Sequence, residues 1–331
     1  MPSIPGPRSK PLPVLGVALA GWIALNAAIV WLAHGFLPFD RPALARMPFA
    51  LQVAMPSLAM IEQVALMGVV AWLTRGRAVA PRLDALPAGR ALRAETWGLI
   101  AWAMAAQAGG WVLGPLLGMR PFSFHLAGTL FGCAVPPSPG EALVWAGYNF
   151  AAFVWVPLAW FARRYTLAEL WLVFGKGDWP VIGVVLVIES LVQIAANPAA
   201  LATPAMIWLK AGPLTLLLYG VGTVLPTMVT VYAILVPRYW KMTGSVAAAT
   251  ILGGLTYAAM HLVEGWSLFT TPANAALSLL FVFVTYTGPG MFKSFATLRT
   301  GNAWVHAIGY HAVAPHVLFD TPLIARIFAI R

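Results

Sequence analysis

The stretch "TLRTGNAWVHAIGYHAVAPHVLFD", residues 297–320, holds three of the chain's six histidines, His306, His311 and His316, spaced by five and followed by Asp320. Imidazole exchanges protons near neutral pH and ligates metals, so three in one apolar segment invite a chemical reading. On a straight α-helix, at about 100° per residue, His306 and His311 diverge by about 140° and His306 and His316 by about 80°. At most two are then expected to share a site, leaving His306 structural. His316 and Asp320, four apart, share a face. Pro315 has no N–H, so the carbonyl of His311 loses its α-helical partner and a kink is expected there.

Other titratable groups also lie inside apolar runs. Glu62 and Gln63 sit in "SLAMIEQVALMG", and Glu189 and Gln193 lie four apart in "VIESLVQIAANP". In "LTYAAMHLVEGW", His261 and Glu264 are three apart, a spacing that puts both on one helix face. Such a pair suits a carboxylate that orients an imidazole, or two ligands of one metal. Charged groups are costly at membrane depth, so each is a candidate for function; the plainer role is interhelical hydrogen bonding for the glutamates and an interfacial pair near a helix end for His261 and Glu264.

These residues need elements to position them. The chain is 60% apolar and 9% charged, against about 25% charged in ordinary soluble domains. Apolar runs of roughly 20 residues recur, the mark of spanning helices. The expected fold is all-α, a polytopic integral membrane bundle of about nine transmembrane helices, at 14–34, 49–73, 97–119, 142–162, 180–196, 213–236, 246–265, 274–290 and 302–320. The apolar run of the first is too long for a signal-peptide core and reads as an uncleaved span.

The formal charge of +10 is unevenly distributed. The N-terminal tail and even-numbered loops hold 14 of the 20 Lys and Arg, including Arg75, Arg77, Arg163, Arg164, Arg238 and Lys293. That asymmetry predicts a cytoplasmic N-terminus in a bacterial inner membrane, with anionic lipid rather than nucleic acid as the counter-charge. A single cysteine, Cys133, excludes an intramolecular disulfide and a thiolate metal cluster, and reads as an apolar filler.

The sequence divides into a proline-rich flexible tail (1–12), an N-terminal three-helix region (13–140) and a C-terminal membrane domain (141–331). The basic loop "TRGRAVAPRLDALPAGRALRAET" suits either the cytoplasmic leaflet or a solvated linker. The loop "RPFSFHLAGTLFGCAVPPSPGE" is expected to cap the outer face. In "YTLAELWLVFGKGDW", Thr166 precedes Glu169 by three, a capping-box spacing, and Trp171 and Trp179 read as interfacial anchors. No dinucleotide fingerprint, P-loop or H-E-x-x-H motif is present.

The segment "GMFKSFATLRTGNAWVHAIGYHA" resembles the last block of the CPBP family, the CAAX-processing and bacteriocin-processing intramembrane endopeptidases. The turn is Arg299-Thr300-Gly301, the tryptophan Trp304 and the histidine His311. One helix upstream, Tyr257 and His261 in "LTYAAMHL" match the family's aromatic-x-x-x-His block. The resemblance covers roughly residues 213–320 and implies His261 and His311 as inherited catalytic positions. It departs at the family's E-E-x-x-x-R motif. Leu225-Pro226 stands roughly where the glutamate pair belongs, and no acidic residue occurs between Glu189 and Glu264. Pro315 replaces the asparagine expected four after His311.

Three functions follow as expectations. The first is a CPBP-like pseudoenzyme acting as a binding or assembly subunit for a membrane-protein partner. The second is an active CAAX-protease-like hydrolase with a rebuilt site. Glu264, Glu189 or Asp320 would then serve as base, or His261, Glu264, His311 and His316 would supply ligands for a divalent metal such as zinc; the cofactor is that metal or none. The third is a transporter or lipid-handling protein built on buried carboxylates, for which Glu62, Glu189, Gln193 and Asp320 are the groups to watch.

Overall fold

Hydrocarbon offers no hydrogen bonds, so a chain this apolar must satisfy its backbone within helices. A computed structural model shows that outcome: the fold is 77% helical, with no strand among the described residues. Those residues are 11–39, 44, 47–77, 83–124, 137–196 and 198–331. Residues 1–10 of the tail, Arg82 and Cys133 lie outside them, as does most of the expected outer cap.

The protein is an all-α polytopic bundle. Its helices are α1 (Pro11–Ala33), α2 (Phe49–Leu73), α3 (Gly89–Leu116), α4 (Pro139–Phe161), α5 (Asp178–Ala196), α6 (Ala205–Thr243), α7 (Val246–Ala259), α8 (Pro272–Thr300) and α9 (304–327). Among the described residues seven of these, not nine, are long and apolar enough to cross a membrane. The exceptions are α7, with only 14 residues, and α9, whose buried histidines and Asp320 dilute its apolar character.

Helices α6, α8 and α9 form the interior, with α1, α2 and α7 packed on α8, α5 on α9, and α3 and α4 on α6. Large apolar side chains such as Trp31, Ile61, Leu191 and Leu209 point outward, as a lipid-facing surface requires. Helices α7 and α8 approach so closely that a β-carbon added at Gly290 would lie 2.9 Å from Gly254 Cα. Small residues allow such contacts where no hydrophobic effect drives helices together.

The loops after α2, α4, α6 and α8 meet at one end of the bundle. There Arg77 pairs with Asp178 at 2.9 Å, and Asn302 Nδ2 donates to the same carboxylate at 2.8 Å. Arg299 donates to the Thr74 carbonyl and hydroxyl, both at 3.0 Å, capping α2. Arg238, fully buried, pairs with Glu95 at 2.7 Å, and Arg164 reaches the same carboxylate at 3.2 Å. At the opposite end Phe39 packs on Trp266 and Phe281, and Arg120 N–H donates to Glu141 at 2.9 Å.

Two expectations are corrected here. The segment after α4 is a turn, not an interfacial helix. Thr166 and Glu169 do bond reciprocally, and the Thr166 N–H holds the exposed Glu169 carboxyl below its ordinary range. Trp171, however, is fully buried in a left-handed turn and accepts the Ala303 N–H at 2.9 Å, so it anchors α9 rather than the interface. Trp179 is exposed and stacks on Phe174. Lys293, counted with a basic loop, lies inside α8, because the helix runs on through Gly288-Pro289-Gly290 to Thr300.

Four prolines coincide with π-helical stretches: Ala151–Trp155 in α4, Gly220–Val224 and Met228–Leu235 in α6, and Ala307–Val317 in α9. A proline removes one N–H and strands the carbonyl four residues back; a wider turn re-pairs the backbone in lipid. Val156, Leu225 and Val236, each just before a proline, donate to the carbonyl five residues back.

Breaking the Arg238–Glu95 pair from one side leaves a buried charge uncompensated, at a cost of about 3–5 kcal/mol. Glu95→Ala is therefore expected to lower the melting temperature in detergent sharply. The Glu95→Leu/Arg238→Met double variant should recover most of the loss, as a thermal-denaturation double-mutant cycle would show.

Candidate functional site

The π-helical stretch of α9 changes the reading of the three histidines. An α-helix sends side chains five apart in different directions, whereas the i→i+5 bonding of a π-helix stacks them. His306, His311 and His316 accordingly form one buried column, with ring centroids 6.5 Å and 5.1 Å apart. The expectation that at most two could share a face is overturned. Its premise, α-helical geometry, fails across 307–317. Pro315 sits within that stretch, so the backbone widens where a break was expected.

The column has a polar end. His316 Nδ1 lies 2.9 Å from Asp320 Oδ2, so its Nδ1–H donates to the carboxylate. Its ring stacks on Tyr219 at 4.4 Å, and the Tyr219 hydroxyl faces Asp320. His311 Nδ1 is 3.4 Å from Thr227 Oγ1, whose own proton goes to the Val224 carbonyl, leaving the oxygen to accept. His306 meets Tyr232 edge-on at 4.3 Å. Thr227 lies between the two π stretches of α6 and Tyr219 just ahead of the first, so widened turns face one another across this region.

His261 stands on the far side of Tyr257, whose ring centroid is 4.3 Å from His261 and 6.3 Å from His311. It shares no helix face with Glu264, because α7 ends at Ala259 and both residues follow it; the two lie just past a helix end, the plainer of the two expectations. The histidine takes part in that ending. Its Nδ1–H donates to the Tyr257 carbonyl at 2.6 Å while its N–H bonds Ala258 O at 2.9 Å. The ring then stacks on Tyr286 at 4.0 Å. Glu264 is buried, and its backbone N–H bonds the Ser267 hydroxyl at 3.1 Å.

In His261 and His316 the oxygen partner at Nδ1 selects the tautomer with its proton there, leaving Nε2 as the basic nitrogen. The arrangement can pass or hold protons. Among the described residues no group of three or more His, Cys, Asp or Glu side chains is placed to hold a metal ion. Of the expected ligands His261, Glu264, His311 and His316, the rings of His311 and His316 lie 5.1 Å apart, Tyr257 packs against both His261 and His311, and Glu264 follows the end of α7.

Sequence reasoning missed Lys293. It is buried in α8, with Nζ 3.8 Å from the centre of the Tyr257 ring and 5.6 Å from that of Tyr310. The signal was available: a lysine three residues beyond the expected end of an apolar span at 290, and counted with the loop that follows it. Glu62, Gln63, Glu189 and Gln193 form a second polar cluster between α2 and α5. Gln193 donates to Glu189 at 2.7 Å and Gln63 to Glu62.

No protein-family model matches the chain, and no curated protein or solved structure matches it.

A His311→Cys/His316→Cys pair in a Cys133→Ser background should be bridged by a short bifunctional thiol reagent, read by intact mass. An α-helical 307–317 would leave the two thiols unbridged. Metal analysis of the purified protein in mild detergent decides the expected ligand set: near-stoichiometric zinc or iron that is lost in both His261→Ala and His311→Ala would establish it, and no metal in any sample would exclude it.

Proposed function

We propose that the chain is a divergent CPBP-like integral membrane protein without the family's ordinary peptidase chemistry, acting as a binding or assembly subunit for a membrane-protein partner. The observation that carries this reading is what faces His311. Among the described residues it meets the hydroxyl of Thr227, in the span where the family's glutamates would stand and where this chain has Leu225, Pro226 and Thr227. A general base contributes about 10²–10⁴ in rate and an oxyanion donor about 10²–10³, so losing both leaves little hydrolysis. The burial of His261 and His311, at most 2% exposed, supports the same view, since a peptide bond could not reach them without helix movement.

The resemblance itself rests on the sequence blocks. Its consistency with the fold lies in Tyr257 standing between His261 and His311, and in Arg299-Thr300-Gly301 forming the turn that ends α8. The excess of basic residues in even-numbered loops supports a cytoplasmic N-terminus in a bacterial inner membrane, with anionic lipid around the chain and no nucleic acid as partner.

One observation favours an alternative. The Asp320–His316 pair has the form of a carboxylate-oriented general base, and its ring lies 5.1 Å from His311. A hydrolase with a rebuilt site would use it.

Reconstituted wild-type protein, offered prenylated CAAX peptides and transmembrane peptide substrates, separates the two readings. The subunit reading expects no cleavage above that of His311→Ala. Cleavage in wild type that His316→Ala and Asp320→Asn each abolish, with membrane abundance unchanged, would establish the hydrolase instead.

A further inference from the structure

The cluster between α2 and α5 contains acceptor oxygens for which the described residues supply no donor. Glu62 lies eleven residues before Leu73 and Glu189 eleven after Asp178, each about 16 Å of helix from the Arg77–Asp178 end. Across a hydrocarbon core of about 30 Å, both carboxyls sit near the middle. They lie within hydrogen-bond reach of each other. Glu62 Oε1, Glu189 Oε2 and Gln63 Oε1 have no hydrogen-bond partner among the described residues, and Gln63 and Glu189 are 3% and 1% exposed. The Gln63 amide is directed into the cluster through its bond to Glu62, and Gln193 holds the other Glu189 oxygen.

Two facing carboxylates in lipid cannot both remain ionised without a positive charge between them. The charged and titratable neighbours are Lys293 on α8 and Tyr310 on α9, both acting on Glu189 or being acted on by it. Lys293 supplies one positive charge against two carboxylates, so a single further charge completes neutrality. A divalent ion would overshoot it, and buried charge that is uncompensated is costly.

We propose that Glu62, Glu189 and Gln63 form a mid-membrane site for one monovalent cation drawn from solution, either a sodium ion or a proton, held by carboxyl and amide oxygens. Sodium suits such hard oxygen donors, and a proton shared by the two carboxyls would meet the same need. The site is separate from the histidine column and independent of any peptidase ancestry.

The test uses the full-length protein in mild detergent. Thermal unfolding is followed as sodium chloride replaces choline chloride at constant ionic strength, at neutral and alkaline pH. In parallel, infrared spectra of wild type, Glu62→Gln and Glu189→Gln are compared across the same pH range. A sodium-dependent rise in melting temperature, lost in both variants, identifies sodium as the occupant. No sodium effect, but a protonated-carboxyl band at neutral pH that disappears in either variant, identifies the proton. Identical melting in sodium and choline, with no carboxyl band that either substitution removes, would overturn the proposal. The wild-type comparison of sodium with choline stands even where a variant fails to fold.

Discussion

The approach of α7 to α8 is the contact on which the interior depends. With Gly254 against Gly290 the two backbones come closer than any pair of larger residues would permit, and Gly253 brings Ser294 into the same seam. That distance puts the Lys293 ammonium over the Tyr257 ring and sets His261 at the end of α7 beside Tyr286. Cation–π contact of this kind gains strength where water is absent. Tyr257 thereby becomes the hub, touching Lys293, His261 and His311 from one ring.

Around that seam, polar groups are sorted by depth. Full ion pairs with several donors, Arg238–Glu95–Arg164 and Arg77–Asp178–Asn302, occupy the end where the basic loops gather. Deeper in stand groups that can be neutral, the histidine column, Asp320, Glu62 and Glu189, together with Lys293, whose ammonium lies over the Tyr257 ring. The gradient follows the rising cost of an unsolvated charge with depth. The same gradient accounts for the tyrosines, whose hydroxyls and rings accompany nearly every deep polar group.

Much of the architecture was legible in the residues. Each of the nine apolar runs corresponds to a helix, and α2 was bounded to the residue, because a lipid-facing stretch has one way to satisfy its backbone. What could not be read was helix type. Pro315 announced a lost hydrogen bond, but nothing in "AIGYHAVAPHV" states whether the chain answers by kinking or by widening its turn. That choice decided the site, since it determines whether histidines five apart diverge or align. The shared helix face of His261 and Glu264 was lost for a related reason: their spacing implied it only while the helix continued, and the imidazole itself helps to end it. Lys293 was hidden by the opposite error, a span ended at 290 where the helix runs on to Thr300. The Arg299-Thr300-Gly301 turn was identified correctly as a boundary, and its physical cause is the left-handed Gly301.

The wide turn in α9 also changes how the chain should respond to changes in its length. A π stretch holds more residues than an α-helix of the same number of turns, so shortening 307–317 by that surplus lets the segment relax to α geometry. In most packed helices a deletion rotates everything beyond it out of phase. Here it would restore ordinary phase to the backbone while dispersing the histidines. Fold and histidine column are thus encoded separately: apolar content secures the helix, and its surplus residues secure the alignment of its imidazoles.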